Sequence, residues 1–140
     1  MKPETATILA NARERWSLRV VERDNHIDIE VEGVEGPFVL SYYEDEHVIG
    51  TKEWHEHVNY YDGGLEAFLE LLLEGILVFK VKYRGETPAS HTVYILEDGK
   101  PRPVSKIYPL FYLFWRKASY RTFVYKAVAK PSDGNLSDSA

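Results

Sequence analysis

On either side of Gly75 the hydrophobic period of this chain changes from 3.6 residues to two. Upstream, Leu65, Phe68, Leu69 and Leu72 recur at i, i+3, i+4 and i+7, the stripe of a helix with one face toward a core. Downstream, Leu77, Phe79, Val81 and Tyr83 alternate with Val78, Lys80, Lys82 and Arg84, the pattern of a strand with one buried face. Two such elements in immediate succession must cover their apolar faces in shared layers, which confines the chain to helix-on-sheet architectures. Gly75 stands where a helix stop belongs.

The strand period recurs along the chain. Pro3 and the helix formers ETATILANARER predict a short N-terminal helix with Ile8, Leu9 and Ala12 as its apolar stripe. From Trp16 the period is two: Trp16, Leu18 and Val20 face in, and Ser17, Arg19 and Arg23 face out. Asp24-Asn25 supplies a turn, and Ile27, Ile29 and Val31 return on the inner face. A two-residue loop sets Arg19 opposite Glu30, a pair worth a few tenths to about 1 kcal/mol. Gly33 and Gly36-Pro37 precede a third strand, Phe38–Tyr43.

Residues 47–61, HVIGTKEWHEHVNYY, fit neither period. Asp62-Gly63-Gly64 opens the helix of the first paragraph. After the strand that follows it, RGETP makes a turn, SHTVYILE a strand and Asp98-Gly99 a hairpin. The next strand carries Pro101 and Pro103, which suit an edge. Pro109 introduces either a short helix over LFYLFWRKA, with Leu110, Phe111, Phe114 and Trp115 inward, or a buried strand from the same residues. Tyr120–Val128 reads as the last strand, and the polar residues 131–140 as a disordered tail. The expectation is an α+β fold in one domain, 1–130. It comprises a mainly antiparallel sheet of about six strands, one strong central helix, a short N-terminal helix and an optional short C-terminal one.

A chain of 140 residues suits one domain with a real core. It has no cysteine, which excludes disulfides, thiolate zinc sites and cysteine nucleophiles. The start, MKPETATILANARERW, has no apolar run of secretory length. Leu65–Leu73 and Ile107–Trp115, the most apolar windows, are too short to cross a bilayer, so a cytoplasmic protein without membrane contact is expected. No Rossmann, P-loop, nucleophile-elbow or zinc-protease motif is present. Ser41, Ser90, Ser105 and Ser119 lie in no activating context, and His91, inside SHTVYILE, reads as a half-buried structural residue. No catalytic residue and no cofactor is expected.

Charge is divided by position. Residues 1–98 carry 20 acids against 9 Lys or Arg, whereas Gly99–Lys130 carries eight Lys or Arg and no acid. Three candidate surfaces follow. Glu66, Glu70 and Glu74 share one helix face at i, i+4, i+8, and such repulsion calls for a cation: Lys80, Lys82, the C-terminal segment, or a basic partner. Lys106, Arg116, Lys117, Arg121 and Lys126 interleave with eight rings, the pairing that holds single-stranded nucleic acid. His47, His55 and His57 lie among carboxylates. In an extended chain His55 and His57 would face the same way, as two ligands of zinc or iron(II) must.

The first surface carries the leading reading, a small non-catalytic accessory module that engages a basic protein through its acidic face, as an inhibitor or immunity protein does. Nucleic-acid or polyanion binding through the basic aromatic segment is the alternative. Self-association through the two charged faces is a further arrangement.

Overall fold

The computed structural model describes residues 1–43, 45–61, 63–107 and 118–130, with residues 60 and 105–107 described by backbone alone. The fold is α+β, with two antiparallel sheets and two α-helices among the described residues. Helix α1 (Pro3–Arg15) starts with Pro at its first position. Five strands follow in a simple meander: β1 (Leu18–Glu22), β2 (Ile27–Val31), β3 (Phe38–Tyr43), β4 (Glu46–Gly50) and β5 (His55–His57). A single 3-10 turn, Val58–Tyr60, leads into α2 (Gly64–Leu73). The second sheet holds β6 (Leu77–Arg84), β7 (Thr87–Glu97), β8 (Lys100–Ile107) and β9 (Ala118–Val124), in the order β8-β7-β6-β9.

Local chemistry accounts for most of these elements. Arg19 stands opposite Glu30 as the two-residue turn requires, and its guanidinium donates to Glu30 Oε1 at 3.0 and 2.6 Å. Glu97 pairs with Lys100 across Asp98-Gly99, and Asp98 takes φ 52°, the left-handed backbone of a tight hairpin. The strand with Pro101 and Pro103 lies at a sheet edge, where missing ladder donors cost least. Helix α2 ends on Gly75 at φ 78°. Gly75 N–H donates to Leu72 O and Ile76 N–H to Leu71 O, a Schellman stop that satisfies two terminal carbonyls.

The expected sheet of about six strands is corrected, among the described residues, to nine strands in two sheets. The unassigned residues 47–61 provide most of β4, all of β5 and the 3-10 turn, whose short lengths leave no period to detect. The last strand begins at Ala118 and ends at Val124, not Tyr120–Val128. Beyond it the chain leaves β6 and hydrogen-bonds elsewhere: Ala127 N–H to Leu73 O, Ser17 N–H to Val128 O, and Lys130 N–H to Arg15 O. The alternative of a helix or strand over LFYLFWRKA falls outside the described residues except for Ala118, which opens β9. Asp62 and the tail 131–140 also fall outside them. Among the described residues, no helix is long and apolar enough to cross a membrane.

The core lies where the sheets and α2 converge on Trp54, which is 2% exposed. Its indole stacks on Phe79 of β6, with centroids 3.9 Å apart and planes at 16°. It also meets Phe38 of β3 at 6.2 Å and Phe68 of α2 at 6.5 Å. Its Nε1–H donates to Tyr125 Oη at 2.9 Å, so the one polar atom of the ring is satisfied in the interior.

Trp54 reaches this position through the turn between β4 and β5, which closes on Gly50. A Cβ built on Gly50 would stand 2.4 Å from Trp54 O and 2.8 Å from His55 Cα. The obstruction is backbone, so it cannot swing aside. Gly50→Ala is therefore expected to destabilise the protein by about 1–3 kcal/mol, the usual range for forced overpacking. A urea denaturation midpoint indistinguishable from that of the parent protein would show that the turn relaxes without disturbing Trp54.

Candidate functional site

Strand β6 lies between β7 and β9, so its alternation organises both faces of the four-stranded sheet. Leu77, Phe79, Val81 and Tyr83 are buried against the core. The opposite positions put Val78, Lys80, Lys82 and Arg84 on the outer face. Cross-strand partners share a face, which adds Ser90, Thr92 and Tyr94 from β7 and Ala118, Tyr120, Thr122 and Val124 from β9. None of these positions holds an Asp or Glu. Tyr120 is 56% exposed and Val124 51% exposed. Lys80 Nζ lies 4.9 Å from the Tyr120 ring centroid, and among the described residues neither Lys80 nor Lys82 makes an ion pair. The surface combines open cations with an open ring.

The basic set expected from the C-terminal segment is divided by this geometry. Lys106 stands opposite Thr92 in register, beside the outer face. Arg121 pairs with Val81 and lies on the other face, its guanidinium 5.2 Å from the Tyr83 ring centroid. Lys126 lies beyond the end of β9, and Arg116 and Lys117 fall outside the described residues. The cations of β6 that complete the face come from outside the basic segment. The signal for them was the strict alternation of residues 77–84, whose polar positions are all cationic after Val78.

The acidic stripe is also rearranged. Arg15, in the last turn of α1, reaches Glu70 at 3.3 Å and Glu74 at 2.8 Å. Among the described residues, the cation that meets the stripe is thus Arg15, from the N-terminal helix, and neither Lys80 nor Lys82. It also offsets the unfavourable position of Glu74 at the C-terminal end of α2. Glu66 remains exposed on the same helix.

The three histidines do not form one cluster. His55 and His57 share a face of β5 as expected for an extended segment, with ring centroids 5.9 Å apart. His57 Nδ1 is hydrogen-bonded to Glu46 Oε1. His47 points to the opposite side of the sheet, because Val48, and not His47, is the register partner of His57. It is buried against α1, with Nε2 2.7 Å from Thr5 Oγ1. Among the described residues no group of three or more His, Asp or Glu is arranged to hold a metal ion.

In place of a triple-histidine group there is a buried polar chain that sequence reasoning missed. Glu56, 2% exposed, faces the core from β5 and accepts a hydrogen bond from Tyr61 Oη at 2.7 Å. Its second oxygen lies 2.8 Å from Nε2 of His91, itself 5% exposed. With Glu56 ionised, that nitrogen carries the proton. Burial, then the charge of Glu56, pushes the Tyr61 hydroxyl well above the usual tyrosine range, so it stays a donor. Tyr61→Phe removes one of these donors and is expected to cost about 1–3 kcal/mol. A loss below a few tenths of a kcal/mol in urea denaturation would remove Tyr61 from the network.

His55 and His47 are both shifted below the ordinary histidine value, mainly because desolvation penalises the cation, at the buried His47 and, in part, at the more open His55. For His55 the neighbouring His91 and His57 act in the same direction and Glu56 opposes them. For His47 Glu4 opposes the shift and Lys2 adds to it. As pH falls through about 6.5, the unfolded chain takes up these protons before the folded one does. The associated stability is therefore present above that pH and lost below it. The double variant His47→Asn, His55→Gln is expected to show a shallower fall in urea midpoint between about pH 7 and about pH 5 than the parent protein. Parallel curves for the two proteins would contradict the assignment.

Comparison with protein-family models, with curated proteins and with solved structures finds no match to this chain.

Proposed function

We propose that the protein is a binding module for single-stranded nucleic acid, with the outer face of β6, β7 and β9 as its contact surface. The observation that carries this reading is the carboxylate-free face on which Lys80, Lys82 and Arg84 alternate along one central strand, beside the exposed Tyr120. Alternate residues of an antiparallel strand stand about 7 Å apart, a separation suited to successive phosphates of an extended strand. A flat sheet offers rings on which unpaired bases stack.

The net charge of −5 acts against approach of a polyanion at long range. The register positions of the contact face itself hold no Asp or Glu, and four carboxylates on other elements are held by local cations: Arg15 on Glu70 and Glu74, Arg19 on Glu30, Arg23 on Asp28. The same pairing weakens the reading in which Glu66, Glu70 and Glu74 engage a basic protein, since two of those three carboxylates already have a cation.

The test is fluorescence anisotropy of labelled single-stranded and duplex oligonucleotides across a salt series. The single strand is expected to bind, with affinity falling steeply as salt rises. The double variant Lys80→Ala, Lys82→Ala should lower the log–log salt slope by about 1.4, two phosphate contacts at about 0.7 each. Tyr120→Ala should weaken binding by about 1–3 kcal/mol and leave the slope unchanged. No binding at low salt, or binding that the lysine variant does not alter, would refute the proposal and return attention to the acidic helix face.

A further inference from the structure

A second concave site lies across the four-stranded sheet from the proposed contact face, at one end of the seam between the two sheets. The turn between β4 and β5 contributes Lys52 and Glu53, the turn between β6 and β7 contributes Glu86, and β9 contributes Ser119 and Arg121. Tyr83 of β6, 6% exposed, completes a cleft of about 380 Å³. This volume falls at the small end of the range for metabolite sites, which suits a ligand of amino-acid size.

The charges of this cleft are arranged in an unusual way. Two cations and two carboxylates border one space, yet among the described residues none of the four makes an ion pair. Other charges of opposite sign on the molecule do pair directly, as in Arg19–Glu30, Arg23–Asp28 and Arg102–Glu97. Arg121 is set over the Tyr83 ring, which positions its planar donor fork while leaving it without a carboxylate partner. Glu53 is steadied by the Thr51 hydroxyl, which donates to its Oε2 at 2.9 Å. The Tyr83 hydroxyl is held protonated, chiefly by burial and then by Glu53, and is therefore able to donate. Positive and negative recognition groups thus stand around one volume without neutralising each other.

We infer that this cleft binds a small zwitterion of the α-amino-acid class. The ligand carboxylate meets Arg121 and Lys52, in the bidentate geometry that guanidinium favours. The ligand ammonium meets Glu53 and Glu86, and the Ser119 and Tyr83 hydroxyls serve the remaining polar atoms. A plain anion or a plain cation fits less well, because either would leave one pair of like charges facing it. The inference is independent of the nucleic-acid reading, since Lys80, Lys82 and Tyr120 take no part in it.

The test is isothermal titration calorimetry of the full chain with the standard amino acids at millimolar concentration. For any that bind, the corresponding decarboxylated amine and N-acetyl acid are then titrated. At least one intact zwitterion is expected to bind, and removal of either charge should weaken it about tenfold or more. Arg121→Gln and Glu53→Gln, both at exposed or half-exposed positions, should each weaken it by about the same factor, while Arg19→Gln on β1, outside both sites, should have no effect. No heat from any amino acid would overturn the inference. So would equal binding of the amine or the acid alone, or binding unchanged in both cleft variants.

Discussion

Trp54 is the contact on which the arrangement of the two sheets depends. Apart from β9, which returns to pair with β6, each sheet is built from local hairpins and could in principle pair its strands without the other. They share one core, and at its centre stands an indole that meets β3, α2, β6 and the chain after β9. An aromatic ring of this size contributes a large apolar area, and its N–H must find a partner in the interior. Tyr125 meets that requirement, and so the polar atom that would oppose burial instead fixes the ring's orientation. Gly50 belongs to the same device, because the tight turn that delivers Trp54 leaves no room for a side chain.

The electrostatic organisation is more local than the division of charge along the chain suggests. Arg19 and Arg23 are used one by one against nearby acids, and Arg15 holds Glu70 and Glu74 of the acidic stripe of α2. The cations of β6 are placed differently: they occupy alternate positions of a central strand whose neighbours contribute hydroxyls, rings and an aliphatic side chain. A basic face therefore arises within an acidic protein, and its central residues come from the part of the chain with net negative charge.

Elements governed by near neighbours were legible in the sequence. The Arg19–Glu30 register, the two faces of residues 77–84, the Asp98-Gly99 turn and the Gly75 stop each depend on residues a few positions apart. The segment 47–61 was not legible, for physical reasons. Strand β5 is only three residues long, and its inward position is Glu56, a residue whose type signals an outward one. Its burial is permitted by Tyr61 and by His91, the latter 35 residues away. The cation that holds the acidic stripe lies 59 residues from Glu74. The histidine group fared similarly: the strand parity of His55 and His57 was readable, but the reversal that sends His47 to the other side required knowing where β4 turns. The cleft around Tyr83 draws on two separate turns and on strands far apart in sequence, and no local pattern announces it.

The run that follows β9 sets an order on biosynthesis. Ser17, at the junction of α1 and β1, donates to Val128, and Arg15 accepts from Lys130. The junction of α1 and β1 therefore waits for residues more than a hundred positions later before these backbone groups are paired. Contacts so distant along the chain slow the final step of folding. During translation the N-terminal helix and meander are left with an incomplete border, and it closes only when residues 125–130 emerge. A nascent chain of this kind relies on the completed C-terminal run, or on a chaperone until then, to keep that border from pairing with another chain.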